Sequence, residues 1–343
     1  MRSPHMSAPK RLLIAAFAIA ASVPLLAAPV RINLATLAPQ STTWHKALLD
    51  MGNTWKTSTE GRVTATVFGG GNLDEATIIT KMRPGFETVQ AAFLTAVGLA
   101  AIDPSFNVFS IPFFLESDAE EQAVETRLTP MIEQKLQAKG YHLLAWGTGG
   151  WVQVFSKKPL RSLAQVKGAK LYMSKGSDDW LAWYVKNGFN PVALLPGNIP
   201  EQLRLATGMI DTAPMPPYVA STLQIHKDAK YMLDLHIAPL PGALIIANSA
   251  WNKMSAEDQV KVSAAAKTFE TRVRAETPTQ DAEALKVMTA AGLQVISLDA
   301  AAKAEFRAAA NQLLSTLNET MVPKDVLAAA TQERDAFRKA KGK

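Results

Sequence analysis

The sequence predicts an α/β chain of two domains. Its 343 residues are more than one hydrophobic core usually organises. Short apolar segments alternate with helix-compatible stretches, the pattern of helices layered on a sheet. Beyond the N-terminal segment no run of 18 uninterrupted apolar residues occurs, so the remainder reads as a soluble chain.

Lys10 and Arg11 precede an apolar run from Leu12 to Leu26, broken only by Ser22 and Pro24. Ala27 and Ala28 follow. A basic start, an apolar stretch of about 15 residues and a small-residue exit mark a secretory signal peptide. The stretch is shorter than the roughly 20 residues that span a bilayer, and an uncleaved anchor is the alternative. Cleavage is expected near residue 28, although Leu25 and Leu26 leave no clean Ala-x-Ala. Met6 offers a second start. Removing residues 1–28 discards Arg2, Lys10 and Arg11 and no acid, so the formal charge falls from +6 to +3. That balance provides no clustered cationic footprint for nucleic acid. With no cysteine there is no disulfide framework, thiol nucleophile or thiolate metal site. Export without disulfides fits a bacterial periplasm.

Arg31 to Leu37 alternates polar and apolar residues and predicts a strand. A loop leads to a helical pattern from Trp44 to Thr57, and Gly61 to Phe68 alternates again. Gly69–Gly71 makes a turn, and Asp74 starts another helix. Val89–Phe93 reads as a buried strand. Tyr141–Trp146 and Trp151–Phe155 read as two strands separated by Gly147-Thr-Gly-Gly150. Helix and strand then alternate through Ser162–Val166, Lys170–Met173 and Trp180–Asn187, and Leu244–Ala247 is another strand. From Ser255 to Ala290 nearly every residue suits a helix, with Ser255 as N-cap and Asp258 three residues on. Pro278 is expected to kink or interrupt it, because proline removes a helix hydrogen bond and clashes with the preceding turn.

An ordered series of short motifs carries a family resemblance. Asn33-Leu-Ala-Thr-Leu-Ala-Pro39 precedes Trp44-His-Lys-Ala47. Gly61-Arg-Val, Val67-Phe-Gly-Gly70 and Leu73 follow, then Ile111-Pro-Phe-Phe-Leu115. Gly140–Trp146, Val166–Leu171, Asn190-Pro-Val192, Gly208-Met-Ile-Asp211 and Trp251–Gln259 complete it. In this order, over residues 31–300, they resemble the solute receptors (DctP-type) of TRAP (tripartite ATP-independent periplasmic) transporters. The resemblance implies a type II periplasmic-binding-protein fold: two α/β lobes, a ligand cleft between them and a long helix spanning both. Residues 29–149 with 240–278 are expected to form lobe I, and 150–239 with 279–325 lobe II. Residues 326–343 are a C-terminal helical tail. It further implies a monomer that captures a small organic solute by cleft closure, without a cofactor, and delivers it to the small and large membrane subunits.

The departures from the family pattern are informative. Members usually carry a Lys-x-Arg motif whose arginine grips a ligand carboxylate bidentately. Here the run is Lys170-Leu-Tyr-Met173, with Tyr172 at the arginine position. Val152 stands at a second basic position, Met215 near a pocket asparagine, and Ala92 or Phe93 at a polar position of the third strand. All four changes run toward apolar or aromatic side chains. The expected ligand therefore has a sizeable apolar or aromatic part, with or without one carboxylate, or is a quaternary ammonium drawn to aromatic faces. The alternative is a mono- or dicarboxylate held by a displaced Lys175, Arg204 or Arg83. Trp151 adjoins Val152, Trp44 ends the first strand–loop–helix unit, and Asn198 sits in a long loop; these three join the expected lining, although tryptophans are commonly core. His236 resembles a family histidine near the pocket, and a hinge role suits it equally. Adjacent Asp178 and Asp179 suit a solvated helix start, since neighbours on a helix do not face each other.

Enzyme motifs are wanting. There is no Gly-x-Ser-x-Gly, His-Glu-x-x-His or Gly-x-x-x-x-Gly-Lys. Five histidines lack metal-ligand spacing, so no metal site is expected. A periplasmic hydrolase or lyase on a two-lobe scaffold is the reading from another class, and a receptor serving a sensor kinase is a third.

Overall fold

A computed structural model describes residues 29–69 and 74–342. The expected signal peptide, residues 1–28, and most of the glycine turn lie outside the described residues. The early alternation becomes β1 (Val30–Thr36), α1 (Thr43–Ser58) and β2 (Val63–Gly69). Thr42 caps α1 by accepting the His45 N–H. Asp74 caps α2 (Glu75–Met82), which leads to β3 (Ala91–Thr95) and α3 (Ala96–Ile102). A 3₁₀ turn (Pro104–Ser110), α4 (Asp118–Ala138) and β4 (Tyr141–Trp151) follow. The glycine stretch expected to separate two strands lies inside β4, and the break falls at Val152.

The chain then enters the second lobe through β5 (Gln153–Ser156), α5 (Leu163–Gly168), β6 (Lys170–Ser174) and α6 (Asp178–Lys186). β7 (Asn190–Leu194), α7 (Ile199–Arg204), β8 (Thr212–Met215), α8 (Pro217–Thr222) and β9 (Tyr231–Asp234) continue it. β10 (Pro239–Ala247) returns to the first sheet, with α9 (Asn248–Trp251) after it. The long α10 (Ala256–Ala290), β11 (Gln294–Ser297), α11 (Ala300–Leu314) and α12 (Lys324–Ala340) complete the chain.

Two sheets result, ordered β2-β1-β3-β10-β4 and β11-β9-β5-β8-β6-β7. In the first, β1 runs parallel to β2 and β3, while β10 is antiparallel to both β3 and β4. In the second, β6 runs parallel to β7 and β8. The fold is thus a two-lobed α/β architecture. The crossing strands are tied at Val152, whose N–H donates to Ala238 O at 2.9 Å and whose carbonyl accepts Ile237 N–H at 3.0 Å. Buried Gln153 adds Oε1 as acceptor for Leu235 N–H (2.8 Å) and His236 N–H (3.1 Å).

α10 packs on α1 and β4 of one lobe and on α8 of the other. The helix is not interrupted at Pro278 but runs continuously through it. Packing along the whole length outweighs one lost backbone bond, which costs about 3 kcal/mol in an isolated helix. Thr277 Oγ1 also donates to the Val273 carbonyl at 2.8 Å in the preceding turn. The C-terminal α12 lies against α4.

Candidate functional site

A cavity of about 440 Å³ lies between the lobes. Thr36 at the end of β1, Phe93 in β3, Tyr172 in β6 and Met215 at the end of β8 all line it. It is therefore a crevice at the carboxyl ends of strands, where open α/β sheets commonly bind ligands. Of the residues expected from sequence, the structure brings together Tyr172, Val152, Met215, Phe93 and Trp44.

Phe93 is seated by missing side chains. A Cβ on Gly147 would lie 2.5 Å from its ring, so that strand position must be glycine. Phe269 of α10 meets the ring edge-on at 5.3 Å between centroids. Trp44 meets Tyr218 of α8 edge-on at 4.9 Å, and the Tyr218 hydroxyl accepts Thr43 N–H at 3.2 Å. On the opposite side, Trp180 Nε1–H of α6 donates to Asn107 Oδ1 at 2.9 Å. Both contacts join elements of different lobes through residues that line the cavity.

Tyr172 is held as a neutral phenol. Burial pushes its pKa up to about 12; a bond with Ser174 opposes this, and the nearby Glu75 charge adds to it. Tyr184, also on the cavity wall, is pushed up to about 12 by burial alone.

Glu75, not singled out from sequence, is the one charged residue among the described residues of the lining. Its Oε1 accepts Thr95 N–H at 2.6 Å, and its Oε2 accepts Thr95 Oγ1–H at 2.7 Å and Gly98 N–H at 2.9 Å. It thereby caps the first turn of α3 from a distance, an anion at the positive end of a helix. Gly98 allows this approach, since a Cβ there would sit 2.8 Å from Glu75 atoms. Burial still outweighs the three donors and raises the carboxyl pKa to about 7. No local sequence signal marks this role, because Glu75 reads as an ordinary first-turn acid of α2.

Three expected residues are placed elsewhere. Trp151 faces away from the lining, and its Nε1–H donates to Asp118 Oδ1 at 2.6 Å. His236 stands at the return crossing with φ +48°, and its Nδ1 lies 3.2 Å from Asp234 Oδ1. Asn198 is exposed, although its neighbours Gly197 and Ile199 line the cavity. The proposed substitute cations Lys175, Arg204 and Arg83 are absent from the lining, as is every other Lys, Arg and His among the described residues.

A two-lobed α/β molecule with a cavity between its lobes is the design of a solute-binding receptor. The chain belongs to the bacterial extracellular solute-binding proteins, family 7 (DctP), which it matches over residues 34–320. It is 25% identical over 310 residues to a solute-binding protein of Roseobacter denitrificans, covering 88% of this chain and 92% of that one. An uncharacterized protein of Haemophilus influenzae is 27% identical over 197 residues, 57% of this chain and 58% of the relative's length. Among solved structures, a TRAP periplasmic solute-binding protein of Pseudomonas putida F1 with bound D-glucuronate superimposes with a TM-score of 0.79. It is 25% identical and is covered to 97%, with 89% of this chain matched. A Xanthobacter autotrophicus counterpart with β-D-galacturonate has a TM-score of 0.80 at 22% identity, covering 89% of this chain and 99% of that one. A Bordetella pertussis extracytoplasmic solute receptor binding pyroglutamic acid shares this fold at 0.80 and 19% identity, with the same coverage. No helix of the described residues is long and apolar enough to cross a membrane.

Proposed function

We propose that this receptor captures an organic solute with a sizeable apolar or aromatic part and no free carboxylate. One observation carries the reading: the lining has Tyr172 at the expected arginine position, no cation among the described residues, and Glu75 as its one charge. A ligand carboxylate would be stripped of water beside another carboxylate with no opposing charge, a cost of several kcal/mol. Apolar area gains about 25 cal/mol per Å² on entering the same space. The Tyr172 hydroxyl and Glu75 supply a polar end that receives an amide, hydroxyl or cationic group. Closure follows from the ligand's stronger contacts with the closed state. The protein works in the periplasm after cleavage near residue 28. As a monomer it delivers the unaltered solute to small and large TRAP membrane subunits, without catalysis.

The competing reading is a monocarboxylate held by the Tyr172 hydroxyl. It draws on the sugar acids and pyroglutamate bound in the structural neighbours. A thermal-shift panel separates the two. Benzamide and related neutral aromatics should raise the melting temperature, while glucuronate, galacturonate and pyroglutamate should not. Stabilisation by the acids alone would refute the apolar reading. Tyr172→Arg should reverse the preference, weakening benzamide binding at least tenfold and creating measurable affinity for an acid by calorimetry.

A further inference from the structure

The cavity does not stop at the cleft. Tyr172 packs in the core beside Met215 and Ile199, on one face of β6. Its neighbour Leu171 packs in a separate core with Val166 and Phe306, on the other face, as strand alternation requires. Both faces line the same cavity. On the Leu171 face its lining includes Leu163 and Val166 of α5, Phe189, and Phe306 and Ala310 of α11, and this part of the cavity is the arm. Val166, Phe306 and Ala310 are buried residues of the lobe interior.

Interiors pack nearly as densely as organic crystals, so a long opening inside a lobe is unusual. An apolar opening also holds ordered water poorly, for want of polar partners. Phe113, from the Ile111-Pro-Phe-Phe-Leu115 loop of the other lobe, closes over this arm. Its ring centroid lies 6.5 Å from that of Phe306, and its N–H donates to Ile237 O at 2.6 Å. Phe113 adopts φ +55°, a left-handed conformation that a large side chain rarely takes. Such strain, held by a crossing hydrogen bond at a cavity wall, points to a positional role. The arm is thus walled by one lobe and covered by a residue of the other.

We propose that this arm is a tail subsite, which takes a linear alkyl or slim aryl extension of the solute whose head lies by Tyr172 and Glu75. The inference rests on the reading of the solute as an apolar or aromatic molecule. It adds that the solute is elongated, with its polar end in the cleft and its carbon tail inside the second lobe.

Calorimetry with a homologous series, benzamide and 4-alkylbenzamides from methyl to hexyl, tests it. Affinity should rise about fourfold per added methylene, equivalent to ~0.8 kcal/mol, until the arm is full. Ala310→Leu should flatten that dependence on length, and Leu163→Ala should move its plateau to longer chains. Melting curves of both variants establish folding, and Leu163→Ala alone carries the test if Ala310→Leu does not fold. Binding of benzamide by the native protein with no gain along the series would overturn the arm and leave the proposed ligand class standing. Failure of every member, benzamide included, would overturn both. An unchanged plateau in folded Leu163→Ala would overturn the arm.

Discussion

The interlobe cavity holds one carboxylate within largely apolar walls, whereas the seam between α4 and α10 crowds three around one guanidinium. In the cavity, Glu75 has three protein donors to itself. In the seam, Arg274 pairs with Glu125 and reaches Glu270 at 3.5 Å, while Glu121 lies within its field. Glu121 Oε1 and Glu125 Oε1 have no hydrogen-bond partner among the described residues. A buried charge must find partners or a proton. The cavity satisfies Glu75 with fixed dipoles, which stay in place when the lobes part. The seam relies on Arg274, on Lys267, which pairs with Glu270 at 2.7 Å, and on protonation: burial raises Glu121 well above the usual carboxylate range and Glu125 to about 7, against the pull of Arg274.

Removing the guanidinium should produce the largest effect. Arg274→Met should lower the unfolding free energy at pH 8 by about 3–5 kcal/mol, the usual result of stranding a buried charge. Urea denaturation at pH 8 and pH 5.5 measures it. The loss should shrink at pH 5.5, because Glu125, raised to about 7, then takes up a proton and no longer needs a partner. The native protein carries the same sign. A carboxyl whose folded pKa exceeds its unfolded value contributes stability fully present below about pH 4.5 and lost as pH rises through about 7. Glu75 and Glu125 therefore make the native protein more stable at pH 5.5 than at pH 8. An Arg274→Met loss below 1 kcal/mol at pH 8 would show that the seam is satisfied without its guanidinium.

The cavity arm of the comparison should give a smaller loss. Glu75→Ala leaves Thr95 N–H and Gly98 N–H without their acceptor at the start of α3. Buried donors left unpaired cost about 1–3 kcal/mol, and that range is the expected destabilisation at pH 8. Glu75→Gln retains one acceptor oxygen and should lose less. The two variants also separate capping from ligand contact. If Glu75 touches the solute's polar end, Glu75→Gln weakens benzamide binding more than its small stability loss explains. Equal benzamide affinity in the native and Gln proteins would leave Glu75 as a cap alone.

The strand–helix alternation was legible because each segment carries its own period and caps, as Thr42, Asp74 and Ser255 show. The cavity wall was legible where a residue's type stood out against the family pattern, at Tyr172, Val152, Met215 and Phe93. Glu75 was not, since its meaning depends on Gly98 and Thr95 arriving from another element. The continuity of α10 through Pro278 is not legible, because the local cost is visible in sequence and the packing of α10 along two lobes is not. Trp151 and His236 were drawn toward the cleft by their neighbours in sequence. In extended chain successive side chains point opposite ways. Val152 lines the cavity and Trp151 does not; at the return crossing the left-handed turn at His236, φ +48°, leaves Leu235 and Ile237 on the lining and His236 off it.

That alternation makes Trp151→Phe the smallest and most discriminating test. Trp151 lies at the crossover, where Asp118 accepts its indole N–H and Asp281 accepts its backbone N–H. Burial raises Asp281 to about 6, and a Cβ on Gly150 would fall 2.1 Å from its carboxylate, so the contact admits only glycine there. The backbone bond survives in Trp151→Phe and only the indole bond is lost. The expected cost is about 1 kcal/mol in urea denaturation, with benzamide affinity changed less than about threefold. A tenfold or greater loss of affinity in a variant that melts normally would instead place the indole against the ligand. The boundary between seam and cavity would then lie one residue earlier than the strand's alternation puts it.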